Sequence, residues 1–317
     1  MRRLYWGGEG PGEGANHHKE INLNHTFTTK VSLCAVVAAA LLTGSARAQG
    51  GAQSGSVQVG NATIAYRVQG HGPAMMLVHG YPLSGELFAK NRAALSRRYT
   101  VVTPDLRGFG SSQTPDTKGG VQLYAKDMLA VMDHLSIKKA IIGGMSMGGP
   151  VVLEMYREQP QRFRGLILID STAAPASPVE QGEWPGFGKL AEQKGTAAMI
   201  PILMPQMLTA KTRLSDPALV KFLGGIVKKG SVKAAVGGGS TLANRPDSRP
   251  TLAHIKVPVL LLVGMDDPIY AVEMQKMMKA SAYGSKLAVI PGAAHAAIIE
   301  KPEACDRAIE SFAASIR

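Results

Sequence analysis

The chain has 317 residues, enough for one large α/β domain or two average ones, and 45% of them are apolar, which speaks against a disordered chain. Its formal charge of +12 invites a polyanion-binding reading. The basic residues are scattered, with no run and no aromatic-interleaved patch, so nucleic acid is not an expected partner.

Met1 to Thr29 is Gly- and His-rich without a period and is read as an N-terminal extension. From Lys30 the chain has the layout of a secretory signal: a basic residue, an apolar run from Val31 to Leu42, and the small-x-small site Ala46-Arg47-Ala48. The run falls short of the roughly 20 residues that span a bilayer, so stable membrane insertion is not expected. Residues 1–48 are therefore excluded from the fold, and the Gly/Ser/Gln-rich stretch 49–56 is read as a linker. The expected destination is the periplasm or the medium, after cleavage near Ala48. Cleavage would remove Cys34 and leave Cys305 as the only thiol, so no intramolecular disulfide can form. Cys305 itself is read as a small core residue of a late helix.

Val57 to Val68 alternates in the manner of a β-hairpin with Gly60-Asn61 as its turn. Ala74 to Val78 is a continuous apolar run that stops at His79-Gly80-Tyr81-Pro82, as a buried parallel strand does. A helix over about 84–97, a strand over 99–103 and a helix over 122–135 lead to Lys139-Ala-Ile-Ile-Gly-Gly-Met-Ser146-Met-Gly-Gly149. A helix over 150–157 and the strand 165–170 follow, an alternation that predicts a parallel sheet with helices on both faces. From 173 to 250 no strand run occurs, while Pro, Gly, Met and Lys are plentiful. This segment is expected to be a mostly helical cap inserted into a core made of 57–172 and 251–317. The rhythm resumes with the strand 257–263, a helix over 272–280, the strand 286–290 and a last helix over 302–316, with Pro302 in its first turn.

Gly144, Ser146 and Gly148 form G-x-S-x-G, a sharp strand-to-helix turn that presents a serine hydroxyl and leaves no room for flanking side chains. A serine is a poor nucleophile unaided and needs a base, an acid to orient it and donors for the developing oxyanion. Five histidines follow residue 48: His71, His79, His134, His254 and His295. Only His295 lies in a loop directly after a strand, on the sheet edge shared with the serine, apart from His79, which is read as a loop brace. The acid has three candidates at that edge, Asp170, Asp266 and Asp267, which strand order alone does not separate. The backbone N–H groups of Met147 and Tyr81 are the expected oxyanion donors.

From about Val57 to the C-terminus these residues closely resemble the α/β-hydrolase superfamily. The resemblance rests on His79-Gly-Tyr-Pro82, Asp105-Leu-Arg-Gly-Phe-Gly-Ser-Ser112, Gly144-Met-Ser-Met-Gly-Gly149, Gly264-Met-Asp-Asp267 and Gly292-Ala-Ala-His295. It implies a mostly parallel sheet flanked by helices, Asp267 as the acid with Asp170 as the alternative, and a bracing role for Asp105 and Arg107. Relatives with aspartate at the elbow are haloalkane dehalogenases or epoxide hydrolases, and Ser146 argues against both. The segment 242–302, with Glu300-Lys-Pro-Glu, looks most like small-capped esterases, non-haem haloperoxidase-like perhydrolases and enol-lactonases. One departure is Ala294, where relatives often carry glycine.

The expectation is an exported serine hydrolase acting on a small-molecule carboxylic ester or lactone, without a metal or organic cofactor. Peroxide as acceptor, or a carbon–carbon or amide bond as target, would use the same triad, and a non-catalytic binder is the remaining alternative. Trp184, Phe187, Met199, Met204 and Met207 are expected to shape an adaptable apolar pocket, with ordinary core packing as the competing reading of each.

Overall fold

The computed structural model describes residues 51–282 and 284–316. The expected N-terminal extension and secretory signal lie outside these residues. Eight strands form one sheet: β1 (Gln53–Val59), β2 (Ala62–Gln69), β3 (Ala74–Val78), β4 (Thr100–Pro104), β5 (Ala140–Met145), β6 (Phe163–Ile169), β7 (Val259–Gly264) and β8 (Lys286–Ile290). Their order is β1-β2-β4-β3-β5-β6-β7-β8. β1 and β2 pair antiparallel, as do β2 and β4, and every pairing from β4 to β8 is parallel.

The hairpin turns at Gly60-Asn61, where Gly60 takes φ +59°. Its first strand starts earlier than the composition suggested. Gln53 to Ser56, read as linker, pair with Val68 to Ala65. An exposed edge strand needs only main-chain partners, so a polar, Gly-containing segment can serve, and Gly55 leaves space for the Tyr66 ring.

The strands β3, β5 and β7 consist only of apolar residues and glycine because both faces are covered. In β3, Met76 and Val78 join one core cluster while Met75 and Leu77 join the other; in β6, Leu166 and Leu168 are opposed to Ile167 and Ile169 in the same way. The helices are α1 (Ala89–Leu95), α2 (Val121–His134), α3 (Gly148–Glu158), α4 (Pro178–Lys194), α5 (Ile200–Met207), α6 (Ala210–Ser215), α7 (Pro217–Lys229), α8 (Val232–Ala243), α9 (Arg249–Ala253), α10 (Val272–Ser281), α11 (Ala297–Glu300) and α12 (Pro302–Ala314). Residues of α2, α3 and α10 fill the first cluster and residues of α1, α11 and α12 the second. None of the described helices is long and apolar enough to cross a membrane.

Helices α4 to α9 all lie between β6 and β7. α4 begins at a capping box, with Ser177 accepting from Glu180 N and Glu180 accepting from Ser177 N. It packs along α8, which runs through three consecutive glycines. Interior glycine is a poor helix former, but here each one faces something close: Gly237 the Thr117 carbonyl, Gly238 the Tyr81 ring and Gly239 the Trp184 carbonyl. The glycines are what lets α8 approach the core and α4 at once.

The ends of β3 and β5 are neighbours across the point where the strand order reverses, β4 lying on one side of β3 and β5 on the other. Open α/β sheets carry their sites in such a crevice. The loops after β5, β7 and β8 converge on it.

Candidate active site

Ser146 occupies the turn between β5 and α3 with φ +51°, a left-handed conformation that a side-chain-bearing residue rarely adopts. Three hydrogen bonds hold it there: Ser146 N to Ile169 O (2.9 Å), Gly149 N to Ser146 O (2.9 Å) and Ser171 Oγ to Ser146 O (2.7 Å). The turn tolerates no added side chains. A Cβ on Gly144 would strike the Gly148 carbonyl, and one on Gly148 would strike the Val78 carbonyl.

His295 lies in the loop after β8, 1% exposed, with Nε2 2.9 Å from Ser146 Oγ and Nδ1 3.0 Å from Asp267 Oδ2. Asp267 follows β7, and its other oxygen accepts from Ile269 N (2.8 Å) and Tyr270 N (3.1 Å). Burial alone would raise this carboxyl, but the His295 ring and the two amides outweigh it and hold it below the usual carboxylate range. A carboxylate only accepts, so His295 Nδ1 carries the proton and Nε2 is left to accept from the serine hydroxyl. The Tyr270 ring packs edge-on against the imidazole at 5.6 Å.

The other two acid candidates are elsewhere. Asp266 is exposed to solvent. Asp170 is buried at the end of β6 with φ +43°, and its oxygens accept from Gly264 N (2.7 Å) and Ala297 N (3.1 Å) rather than from His295. Burial, and then the nearby Asp267, push its carboxyl well above the ordinary range. Asp170 therefore ties the strand end before Asp267 to the helix after His295.

The turn after β3 is pressed onto the serine: a Cβ on Gly80 would lie 2.7 Å from Met145 Sδ and 2.8 Å from Ser146 Cβ. His79 spans it, with Nδ1 donating to Gly80 O and Nε2 accepting from Leu106 N, both at 2.9 Å. Both ring nitrogens are thus engaged away from the serine. Asp105 binds Gly85 N (2.7 Å) and Ser111 N (2.8 Å), while Arg107 forms a bidentate pair with buried Asp127 at 2.7 and 2.6 Å. Neither Tyr81 N nor Met147 N donates to a main-chain group among the described residues.

Of the expected pocket residues, Trp184 and Phe187 stack edge-on against the Tyr81 ring at 6.2 and 6.4 Å, and Met199 Sδ lies 3.8 Å from its hydroxyl. Tyr81 also donates to the Ala235 carbonyl of α8 at 3.0 Å. Met204 and Met207 are buried in an apolar cluster with Leu203 and Leu223. No group of three or more His, Cys, Asp or Glu among the described residues is placed to hold a metal ion. Ser171 and Glu300 also belong to the site's support, and sequence spacing did not reveal their contacts. Ser171 reaches the elbow from 25 residues away, and Glu300 binds Thr209 from 91 residues away.

A family model described as the alpha/beta hydrolase fold matches residues 73–195. The 3-oxoadipate enol-lactonase 2 of Acinetobacter baylyi is 29% identical over 245 residues, covering 75% of this chain and 88% of that protein. A thermophilic esterase from Thermogutta terrifontis superposes with a TM-score of 0.80 at 28% identity, over 83% of this chain and 99% of that one. A bromoperoxidase from Bacillus anthracis, at 20% identity and a TM-score of 0.74 over 83% of this chain and 100% of that one, shares the fold. Strand order, the serine turn at the sheet's reversal point and these likenesses agree, and the chain has the α/β-hydrolase fold.

Proposed function

We propose that the chain is an exported serine hydrolase that cleaves a carboxylic ester or lactone through an acyl-enzyme on Ser146. The observation that carries this reading is the unbroken relay from Ser146 Oγ through His295 to Asp267, at 2.9 and 3.0 Å. In the reaction His295 Nε2 takes the hydroxyl proton as the serine oxygen attacks the carbonyl carbon, and Asp267 stabilises the imidazolium that forms. The amides of Tyr81 and Met147 receive the charge that develops on the carbonyl oxygen. The imidazolium then protonates the leaving alkoxide, and a water activated by the same nitrogen releases the acid.

Esterase and enol-lactonase likenesses support the bond class. Trp184, Phe187, Met199, Met204 and Met207, supplied by the helical insertion 173–250 acting as a cap, shape the acyl pocket in this reading. Export rests on the apolar run 31–42 and the Ala46-Arg47-Ala48 site. The test is turnover of p-nitrophenyl esters and lactones of graded chain length by the parent and by Ser146→Ala. Turnover is expected to vanish in a variant that still folds, and retained turnover excludes the mechanism. N-terminal sequencing of the protein recovered from the periplasm checks export, with Gln49 the expected first residue.

A further inference from the structure

The four consecutive main-chain N–H groups around His295 all find partners beyond their own loop. Ala294 N donates to Glu300 Oε2 (2.8 Å), His295 N to Gln206 O (3.3 Å), Ala296 N to Met207 O (2.9 Å) and Ala297 N to Asp170 Oδ2 (3.1 Å). Two of these acceptors are the last carbonyls of α5, which a helix leaves without internal partners. The base is therefore suspended from the end of a helix in the insertion between β6 and β7.

Glu300 closes the same junction. It is buried, and its Oε1 accepts from Thr209 N (2.9 Å) and from the Thr209 hydroxyl (2.6 Å), two residues beyond α5, while Oε2 holds Ala294. One carboxylate thus binds the residue before the base and the chain just past the helix that carries it. Thr209 is in turn fixed as the N-cap of α6, accepting from Thr212 N at 3.2 Å.

We propose that Glu300 is a positioning residue that locks the Gln206–Thr209 segment onto the histidine loop, so that this end of the cap and His295 move as one body. This rests on the serine-hydrolase reading of the site. The cap does not open by lifting at α5, since lifting it there would withdraw the base from Ser146 together with two of its main-chain anchors.

The test compares Glu300→Gln and Thr209→Val with the parent, with kcat expressed per serine labelled by a fluorophosphonate probe. A carboxamide offers one acceptor oxygen and turns its NH2 toward the remaining donors, so Glu300→Gln is expected to lose about 10- to 100-fold in kcat with KM within about twofold. Thr209→Val keeps the main-chain bond from Thr209 N to Glu300 but removes the hydroxyl, with its bond to Glu300 and its cap bond from Thr212 N, and should lose about fivefold, again in kcat. The pH–rate profile of both should shift on its acid limb, which a merely structural residue would not move. The downfield proton signal of His295 Nδ1–H, recorded by NMR, should broaden in Glu300→Gln. If Glu300→Gln fails to fold, Thr209→Val decides. Lowered melting temperatures with unchanged kcat, acid limb and Nδ1–H signal overturn the proposal. If the parent itself shows no Ser146-dependent turnover, the hydrolase reading fails, and the Nδ1–H signal alone judges the lock.

Discussion

Asp170 and Asp267 stand at the ends of neighbouring strands β6 and β7, yet they have different tasks: Asp267 bonds the imidazole of His295, while Asp170 accepts from Gly264 N at the end of β7 and from Ala297 N at the start of α11. The division makes a pair of substitutions informative. Asp267→Asn should cost about 10⁴-fold in kcat, because a carboxamide can hold the wrong tautomer of the base. Asp170→Asn should keep kcat within about tenfold and instead lose about 1 to 3 kcal/mol of stability, as one of two buried N–H donors goes unmatched. Steady-state kinetics and urea denaturation on both variants check this.

Asp170 also has a pH signature. Its folded-state pKa is raised by burial and by Asp267, so its proton stabilises the fold below the ordinary carboxyl range, and this contribution is lost as pH rises through the raised value. The stability deficit of Asp170→Asn should accordingly be largest at acid pH and narrow as pH increases. A deficit that widens with pH would contradict the assignment.

His79 has the opposite sign. Burial lowers its pKa, with Asp105 and the Gly80 carbonyl offsetting only part, and its Nε2 must stay unprotonated to accept from Leu106 N. The neutral ring's contribution is full above the ordinary histidine value of about 6.5 and declines as pH falls below it. Urea midpoints of the parent should drop between about pH 7 and 5, and His79→Gln should flatten that slope.

Arg107→Ala strands the carboxylate of Asp127 in the core and is expected to cost about 3 to 5 kcal/mol. Replacing both partners by apolar residues of similar volume, Arg107→Met with Asp127→Leu, should restore most of it. Denaturation midpoints of the single and double variants measure the difference.

Gly149→Ala would put a methyl group onto Ser171 Oγ, the hydroxyl that holds the Ser146 carbonyl. A loss of about 1 to 3 kcal/mol is expected, with a fall in turnover. Ser171→Ala vacates the space, so the double variant should be more stable than the sum of the two single effects implies. Strict additivity would show that the two side chains do not meet.

Much of this arrangement was legible in the chain because it is local. A buried parallel strand is an uninterrupted apolar run, and the elbow needs its glycines at fixed offsets, so β3, β5, β7 and the serine turn could be read directly. The choice among Asp170, Asp266 and Asp267 was not local. All three follow strands at one sheet edge, and only the path of each loop determines which carboxylate turns inward. Gln53 to Ser56 had no apolar pattern, because an exposed edge strand is held by its main chain. Gly237 to Gly239 fall within the expected helical segment, but the reason for three glycines in one helix lies in Thr117, Tyr81 and Trp184, far away in sequence. The Glu300–Thr209 contact joins segments separated by α6 to α9, β7, α10 and β8, and no spacing rule spans them.

Tyr81 carries its amide beside the elbow and its phenol into the α8 carbonyl of Ala235, with Trp184 and Phe187 along its ring. A cap exchanged for that of a relative would therefore bring more than a new pocket wall. Unless the donor presented a carbonyl at the position of Ala235 and a glycine at that of Gly238, the ring would be displaced and the amide with it. Chimeras built by swapping 173–250 should fail in acyl transfer before they fail in substrate choice, and the repair would lie at two positions of one helix.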